Sequence, residues 1–387
     1  MTAPIYIEVF PLLVPTMTGI GRFSARLVQA LNQHAPLRLT TFLDPRTARV
    51  HKLCDDLSQG EEIEIAQGEL TDAGEDLPGW ARRVCQRPKR PYDAEEASRH
   101  TGIYLWQRPD ERHFARELTI FYDFTPLIVS WSHTAGLCEG FHRQIAASRH
   151  CEKVLAISHS TRADAAWLSP APEEDVVVAY PGPSQCLQRH AHREPVARSE
   201  HVILVVGTRE PRKNGDFLLD WFLNSQALTA EAELWWAGPE GWLWDGPTGL
   251  AQHPRQSRVK FLGMVSDQRL CELYQHAAMT AYPSLYEGFG FPVLDSLLHG
   301  APVLCSYNSS LTELESPGVF YFDACDPASL DAAYRELIAS RPFAIAPAPL
   351  RERFSWPRMG ETLFEMARAL RLAQPMHAAP PRKIATT

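Results

Sequence analysis

The sequence predicts an α/β protein made of two doubly wound, parallel-sheet domains. Three observations predict it. Strand-like and helix-like segments alternate along the chain, and the alternation runs twice. The 387 residues exceed the roughly 250–300 that one compact core supports. A proline-rich stretch from Pro170 to Pro195 separates the two runs.

The elements follow in order. Ile5–Phe10 reads as a strand. A glycine-containing turn leads to a helix from about Gly21 to Asn32, with Phe23, Leu27, Val28 and Leu31 on one face. Leu118–Tyr122 and Val154–Ile157 read as buried strands, and Ser158 or Ser160 caps the next helix. Thr71 to Arg116 is less regular, more charged and rich in arginine, and reads as an insertion or mobile rim. Val202–Val206 opens the second run as a buried strand. There follow a helix over Phe217–Leu228, strands at Leu234–Ala237 and Val259–Leu262, and a helix over Leu270–Ala278. Met279–Tyr282 is a strand, Val293–His299 a helix and Pro302–Ser306 a strand. Such alternation gives right-handed parallel β-α-β units with helices on both faces. The division is residues 1–190, residues 191–355, a last helix at 356–374 with an apolar stripe of Leu363, Met366, Ala367 and Leu370, and a flexible tail at 375–387.

Composition excludes several classes. Lys plus Arg is 38 against 46 Asp plus Glu, a net charge of −8. That balance excludes a nucleic-acid partner, which needs a basic face to displace counterions. At 45% hydrophobic and 22% charged residues, the chain is a soluble globular protein. Its longest aliphatic run, Val202–Val206, falls far short of the ~20 residues that span a bilayer. The N-terminus carries no signal-peptide pattern. The eight cysteines are scattered without a C-x-x-C pair, which reads as reduced thiols in a cytoplasmic protein and as no metal site. His190-x-His192 reads as a solvated loop.

Three segments carry chemistry. In Tyr282–Ser306, Glu287 is followed by Gly-Phe-Gly-Phe-Pro, and Asp295 lies eight residues later on a predicted helix. Gly288 and Gly290 allow close backbone approach to a ligand, Pro292 suits a helix's first turn, and the helix N-terminus favours an anion. The two carboxylates suit sugar and ribose hydroxyls. In Val206–Leu219, a buried strand ends at Gly207, and a turn with Arg209, Arg212 and Lys213 opens the next helix. Cations there suit a pyrophosphate. In Thr16–Leu31, Gly19 and Gly21 lie between the first strand and helix, and Ser24 leaves the dinucleotide fingerprint incomplete.

Together these segments resemble the retaining glycosyltransferases of family 4, over residues 4–370. Supporting markers are Gly19-Ile-Gly21-Arg-Phe, Tyr122-Asp-Phe-Thr-Pro-Leu127, Ala156-Ile-Ser-His-Ser-Thr161, Ala237-Gly-Pro-Glu-Gly-Trp242, Phe261-Leu-Gly-Met-Val-Ser266 and Ser309-Ser-Leu-Thr-Glu313. The resemblance implies a GT-B fold: two Rossmann-like domains facing a central cleft, with the C-terminal helix crossing back onto the first. It implies that Glu287 contacts the donor sugar. Asp295 stands where a glutamate normally binds ribose. Arg212 and Lys213 hold the donor diphosphate, with Arg209 a weaker candidate. Gly19 and Gly21 lie over the phosphates, Gly207 belongs to the same donor site, and main-chain amides of Phe289 and Gly290 meet sugar and phosphate. Met264 and Val265 meet the nucleobase. Tyr122 replaces a frequent active-site histidine beside Asp123.

On the acceptor side, His133 is the preferred candidate, with Trp131, Trp106 and Arg108 as further contacts. The Arg82–Arg90 cluster reads first as a solvated loop and second as a contact for anionic lipid at the inner face of the membrane. The implied reaction moves a hexose from a GDP-mannose- or UDP-glucose-type donor to a glycan or lipid-linked glycan, in surface polysaccharide synthesis. It retains configuration and uses no metal and no cofactor beyond the donor substrate. Alternatives are a nucleotide-sugar 2-epimerase and a non-catalytic nucleotide-sugar binder.

Overall fold

The structure, a computed structural model, describes residues 3–12, 19–41, 53–57, 59, 90–91, 93–184, 197–244, 250–341 and 345–372. The His190-x-His192 pair, the tail 375–387 and all of the Arg82–Arg90 cluster except Arg90 lie outside the described residues.

The first sheet has eight strands: β1 (Ile5–Glu8), β2 (Leu37–Thr41), β3 (Leu53–Leu57), β4 (Arg90–Pro91), β5 (Thr101–Tyr104), β6 (Arg116–Phe121), β7 (Lys153–Ala156) and β8 (Val176–Val178). Their order is β4-β3-β2-β1-β5-β6-β7-β8. β3 pairs antiparallel with both β2 and β4, so this sheet is mixed at one edge, and the expectation of an all-parallel sheet is corrected there. A second correction concerns the stretch read as an insertion. Its β5 is a central strand, fully buried and paired in parallel with β1 and β6. Thr-Gly-Ile-Tyr is short and is followed by the charged run Arg108–Arg112, which hid it. Gly102 is required there, because a Cβ would fall 1.8 Å from the Phe114 ring.

The second sheet has six strands, all parallel: β9 (Val202–Val206), β10 (Glu233–Ala237), β11 (Val259–Gly263), β12 (Met279–Tyr282), β13 (Val303–Ser306) and β14 (Val319–Phe322). Their order is β11-β10-β9-β12-β13-β14. β9 is an almost wholly buried Val/Ile/Leu run, as a strand covered on both faces must be. Chain direction across the sheet reverses between β9 and β12, and in the first sheet between β1 and β5. Ligands of such sheets bind beyond the strands' carboxyl ends at these reversal points.

Helix boundaries follow local chemistry. Ser158, not Ser160, caps His159–Leu168, its side chain accepting from the Thr161 amide. Phe291–Leu298 starts two residues before the expected Val293, with Pro292 in its first turn and Gly290 as its cap at φ 104°.

The C-terminal helix Trp356–Leu372 docks on the first sheet's helix Gly19–Asn32. Leu363, Met366, Ala367 and Leu370 are all buried, as the stripe predicts. Each fully buried Leu or Met contributes about 1.5–3 kcal/mol. Gly360 lets the helices touch, since a Cβ there would lie 2.7 Å from the Ala30 backbone. The Arg371 guanidinium donates to the carbonyls of Ala3 and Pro4 at 2.7 and 2.6 Å. One apolar cluster continues from Leu27 and Leu31 through Trp356 and Met359 to Val293 and Leu297 of the second half.

Among the described residues no helix is long and apolar enough to cross a membrane. Cys271 is disulfide-bonded, which corrects the reading of every cysteine as reduced. Cys138, Cys151, Cys305 and Cys325 are free thiols.

Candidate active site

The loops after β9 and β12 meet at the reversal point of the second sheet. The first ends in a short turn, Pro211–Lys213, closed by Asn214 in the left-handed conformation at φ 55°. The second carries Glu287. Arg212 Nη1 lies 2.7 Å from Glu287 Oε2, and Lys213 Nζ lies 2.5 Å from Glu287 Oε1. Arg212 Nη2 pairs with Glu210 at 2.6 Å, and Arg212 Nη1 also donates to the Tyr286 carbonyl at 2.9 Å. The Tyr282 hydroxyl accepts from Lys213 at 2.8 Å and donates to Glu287 at 3.0 Å.

Burial alone would raise the Glu287 carboxyl, but Arg212 and Lys213 outweigh it and hold it down at about 2. Glu287 is therefore ionised. Burial likewise works against the Arg212 cation, and Glu287 with Glu210 reverses it, keeping the guanidinium charged. Burial lowers the Lys213 pKa from its usual value, against the pull of Glu287. Two half-buried basic side chains are thus paired with two buried carboxylates. The sequence separated these residues into sugar and phosphate contacts; their mutual pairing, and Glu210 and Tyr282 as members, were not legible in it.

Two cavities lie near this cluster: Gly207 of the first is beside the Lys213 side chain, and Arg212 and Glu210 line the second. The first is about 310 Å³. Its lining includes Gly19, Gly207, Met264, Val265 and Asp295, all predicted donor contacts from four separate segments. Arg22, Arg26, Asp267 and Trp356 also line it and were not predicted. Arg22 forms an ion pair with Asp267, joining the two halves over this cavity. Asp295 accepts from the Ser184 amide at 3.0 Å, and its burial pushes the carboxyl up to about 6.

The second cavity is about 390 Å³. It is lined by Tyr122, Asp123, His133 and Trp106 of the first half and by Glu210, Arg212 and Trp242 of the second. Asp123 accepts from the amide and hydroxyl of Thr125 at 2.9 and 2.7 Å. His133 Nε2 meets the same hydroxyl at 3.1 Å, so Thr125 ties acid to imidazole. Burial, then the nearby Arg212, lower the His133 pKa and keep the ring neutral at pH 7. The Tyr122 hydroxyl donates to the Leu105 carbonyl at 2.6 Å, and burial pushes its pKa up, so it is a fixed neutral wall.

Several predicted residues fall elsewhere. Arg209 lines neither cavity; its guanidinium lies over Phe261, 4.8 Å from the ring centre. Trp131 is exposed and lines neither cavity. Arg108 is a buried structural group paired with Glu117 at 2.5 Å. Gly21 is buried at the start of its helix and lines neither cavity, although Gly19 does. The glycines of the Glu287 segment also differ from expectation. A Cβ on Gly288 would lie 1.9 Å from the Tyr122 carbonyl oxygen, and one on Gly290 would meet Leu311 at 2.6 Å. Their smallness lets protein meet protein, and Phe289 is core, packed beside Phe354 and Phe291.

Known proteins resemble this chain in sequence and in fold. Residues 188–355 match the family described as Glycosyl transferases group 1. The chain is 25% identical over 377 residues to O-antigen chain mannosyltransferase B of Escherichia coli, covering 88% of this chain and 93% of that one. The fold is shared with sucrose-phosphate synthase of Thermosynechococcus elongatus, at TM-score 0.63 and 15% identity, over 95% of this chain and 99% of that one. It is shared also with Anabaena Alr3699/HepE in complex with UDP and glucose, at TM-score 0.60 and 14% identity, over 95% and 99% of the two chains.

Proposed function

We propose that this chain, a glycosyltransferase of GT-B fold whose second half belongs to the group 1 family, moves a hexose from a nucleotide-diphosphate sugar to a glycan. The acceptor is a glycan or lipid-linked glycan of a surface polysaccharide. GDP-mannose is the first donor to test, because the relative matched over most of both chains is named an O-antigen mannosyltransferase. The single observation that supports the reading is the Arg212–Lys213–Glu287 cluster, whose Arg212 lines the second cavity and whose Lys213 side chain lies beside Gly207 of the first.

In this reading the nucleoside occupies the cavity of Val265 and Asp295, and the acceptor occupies that of Asp123 and His133. The diphosphate reaches Arg212 and Lys213. As the bond from sugar C1 to the β-phosphate oxygen breaks, negative charge grows on the leaving diphosphate. Cations already held by Glu287 and Glu210 meet that charge without reorganising, which is how preorganised groups lower a barrier. The acceptor oxygen attacks the face that the diphosphate leaves, and its proton passes to the leaving phosphate oxygen. Configuration is retained and no protein nucleophile or metal takes part. Asp123 and His133 orient the acceptor hydroxyl.

The test is turnover of GDP-mannose and UDP-glucose with octyl α-mannobioside in EDTA, with the product anomer read by NMR. An α-linked product from an α-donor in EDTA is expected. An inverted product, or activity lost in EDTA and restored by Mn²⁺, overturns the mechanism. Tight donor binding with no turnover under any acceptor and no slow donor hydrolysis overturns the reading as an enzyme.

A further inference from the structure

We infer that Trp242, on the loop after β10, is an acceptor-binding residue: its indole stacks on the terminal pyranose of the acceptor glycan. The inference rests on the proposed function and goes beyond it, because it places part of the acceptor site on the donor-binding half.

Four observations carry it. First, Trp242 lines the cavity of Asp123 and His133, although it comes from the opposite half of the molecule. Second, its indole N–H donates to the Ser132 carbonyl at 2.9 Å. That bond fixes the ring by its edge, while the residue stays 36% exposed. Third, its ring lies 6.2 Å from the His133 ring, centre to centre. An apolar plane therefore stands beside the polar chain from His133 through Thr125 to Asp123. A pyranose has this dual character: an apolar C–H face and a rim of hydroxyls. Aromatic faces with a few placed polar groups are how pockets read such ligands.

Fourth, the start of the loop that carries Trp242, residues 238–241, packs tightly against the loop after β9. A Cβ on Gly238 would lie 1.9 Å from the Gly207 carbonyl oxygen, and one on Gly241 would lie 2.5 Å from the Arg209 carbonyl oxygen. The Arg209 amide donates to the Pro239 carbonyl at 3.0 Å, and the Gly241 amide donates back to the Arg209 carbonyl at 3.1 Å. The loop is thus clamped to the turn that leads to Arg212 and Lys213. Gly238 and Pro239 line the donor cavity, and Trp242, a few residues on, lines the acceptor cavity. The acceptor site is then complete only while the two halves are together.

Two variants test this, Trp242→Leu and Trp242→Phe, assayed with GDP-mannose or the donor found active and with octyl α-mannobioside. Acceptor KM, donor KM, kcat and acceptor-free donor hydrolysis are measured. Trp242→Leu removes the aromatic face and is expected to raise acceptor KM about tenfold. Donor KM and acceptor-free hydrolysis stay within about twofold. Trp242→Phe keeps a face but loses the N–H to Ser132, and is expected to recover most of the acceptor KM. An unchanged acceptor KM in Trp242→Leu overturns the inference. So does a Trp242→Phe as impaired as Trp242→Leu with donor KM raised in both, because the contact to Ser132 would then be what matters. Failure of the proposed function has a separate signature: no nucleotide release from any donor by the wild-type protein.

Discussion

The two sides of the cleft solve different problems with different materials. In the proposed reading, Arg212 and Lys213 on the donor side are half-buried and paired with Glu287 and Glu210, all on the loops after β9 and β12, and Arg212 and Glu210 also reach the acceptor cavity. On the acceptor side, Asp123, Thr125 and His133 form a hydrogen-bonded chain whose imidazole is neutral. A charged leaving group needs fixed charge, and fixed buried charge needs partners in the free protein. A neutral hydroxyl needs donors and acceptors at set distances, which one threonine and its neighbours supply.

This contrast orders the expected effects of substitution. Arg212→Ala or Lys213→Ala should lower kcat by about 10²–10³-fold, the scale for losing one preorganised group at developing charge, with far-ultraviolet circular dichroism unchanged. A loss confined to acceptor KM would erase the contrast. Next in size, Gly288→Ala forces a Cβ to within 1.9 Å of the Tyr122 carbonyl oxygen, where the two sides meet. It should cost about 1–3 kcal/mol of stability by overpacking, read as a lowered urea midpoint at constant slope; an unchanged midpoint shows that this contact is not held in solution.

A smaller effect is expected for His133→Ala and Asp123→Asn, about a tenfold rise in acceptor KM, or ~1.4 kcal/mol, with donor KM unchanged. A comparable rise in donor KM would place these residues on the wrong side. The smallest concerns Glu8, outside both cavities. It is buried at the end of β1, one oxygen accepting from the Phe10 amide at 2.8 Å and the other unpartnered. Burial pushes its pKa from 4.5 up to about 8. A folded-state pKa above the unfolded one gives stability that is present below about 4.5 and lost as pH rises through about 8. Glu8→Gln should therefore melt close to wild type at acidic pH and above it at alkaline pH. Parallel melting curves across that range would contradict the assignment.

The same contrast explains what the sequence disclosed. Lys213 and Glu287 sit in compact strings, Arg-Lys-Asn and Glu-Gly-Phe-Gly-Phe-Pro, whose residue types announce charge and turn. The buried strand β9 announces itself by Val-Ile-Leu-Val-Val. The acceptor side has no such string. Trp106 follows β5, Thr125 and His133 follow β6, and Trp242 follows β10, so only folding brings them together. Loop length after the Tyr122 strand points to His133, which the structure places on the second cavity, whereas Trp131, two residues earlier, is exposed. Tyr122 and Gly288 show the other limit. Tyr122 is bonded to a main-chain carbonyl while lining the second cavity, and Gly288 packs on that tyrosine's backbone; neither contact can be read in one dimension.

The central claim is that Arg212 and Lys213 hold the donor's diphosphate without a metal, and calorimetric titration of Lys213→Ala with GDP and with GMP in EDTA tests it most directly. The account predicts that GDP affinity falls at least about tenfold relative to wild type while GMP affinity stays within about twofold. Equal GDP affinity in variant and wild type, or GDP binding that vanishes from the wild-type protein in EDTA, would contradict it.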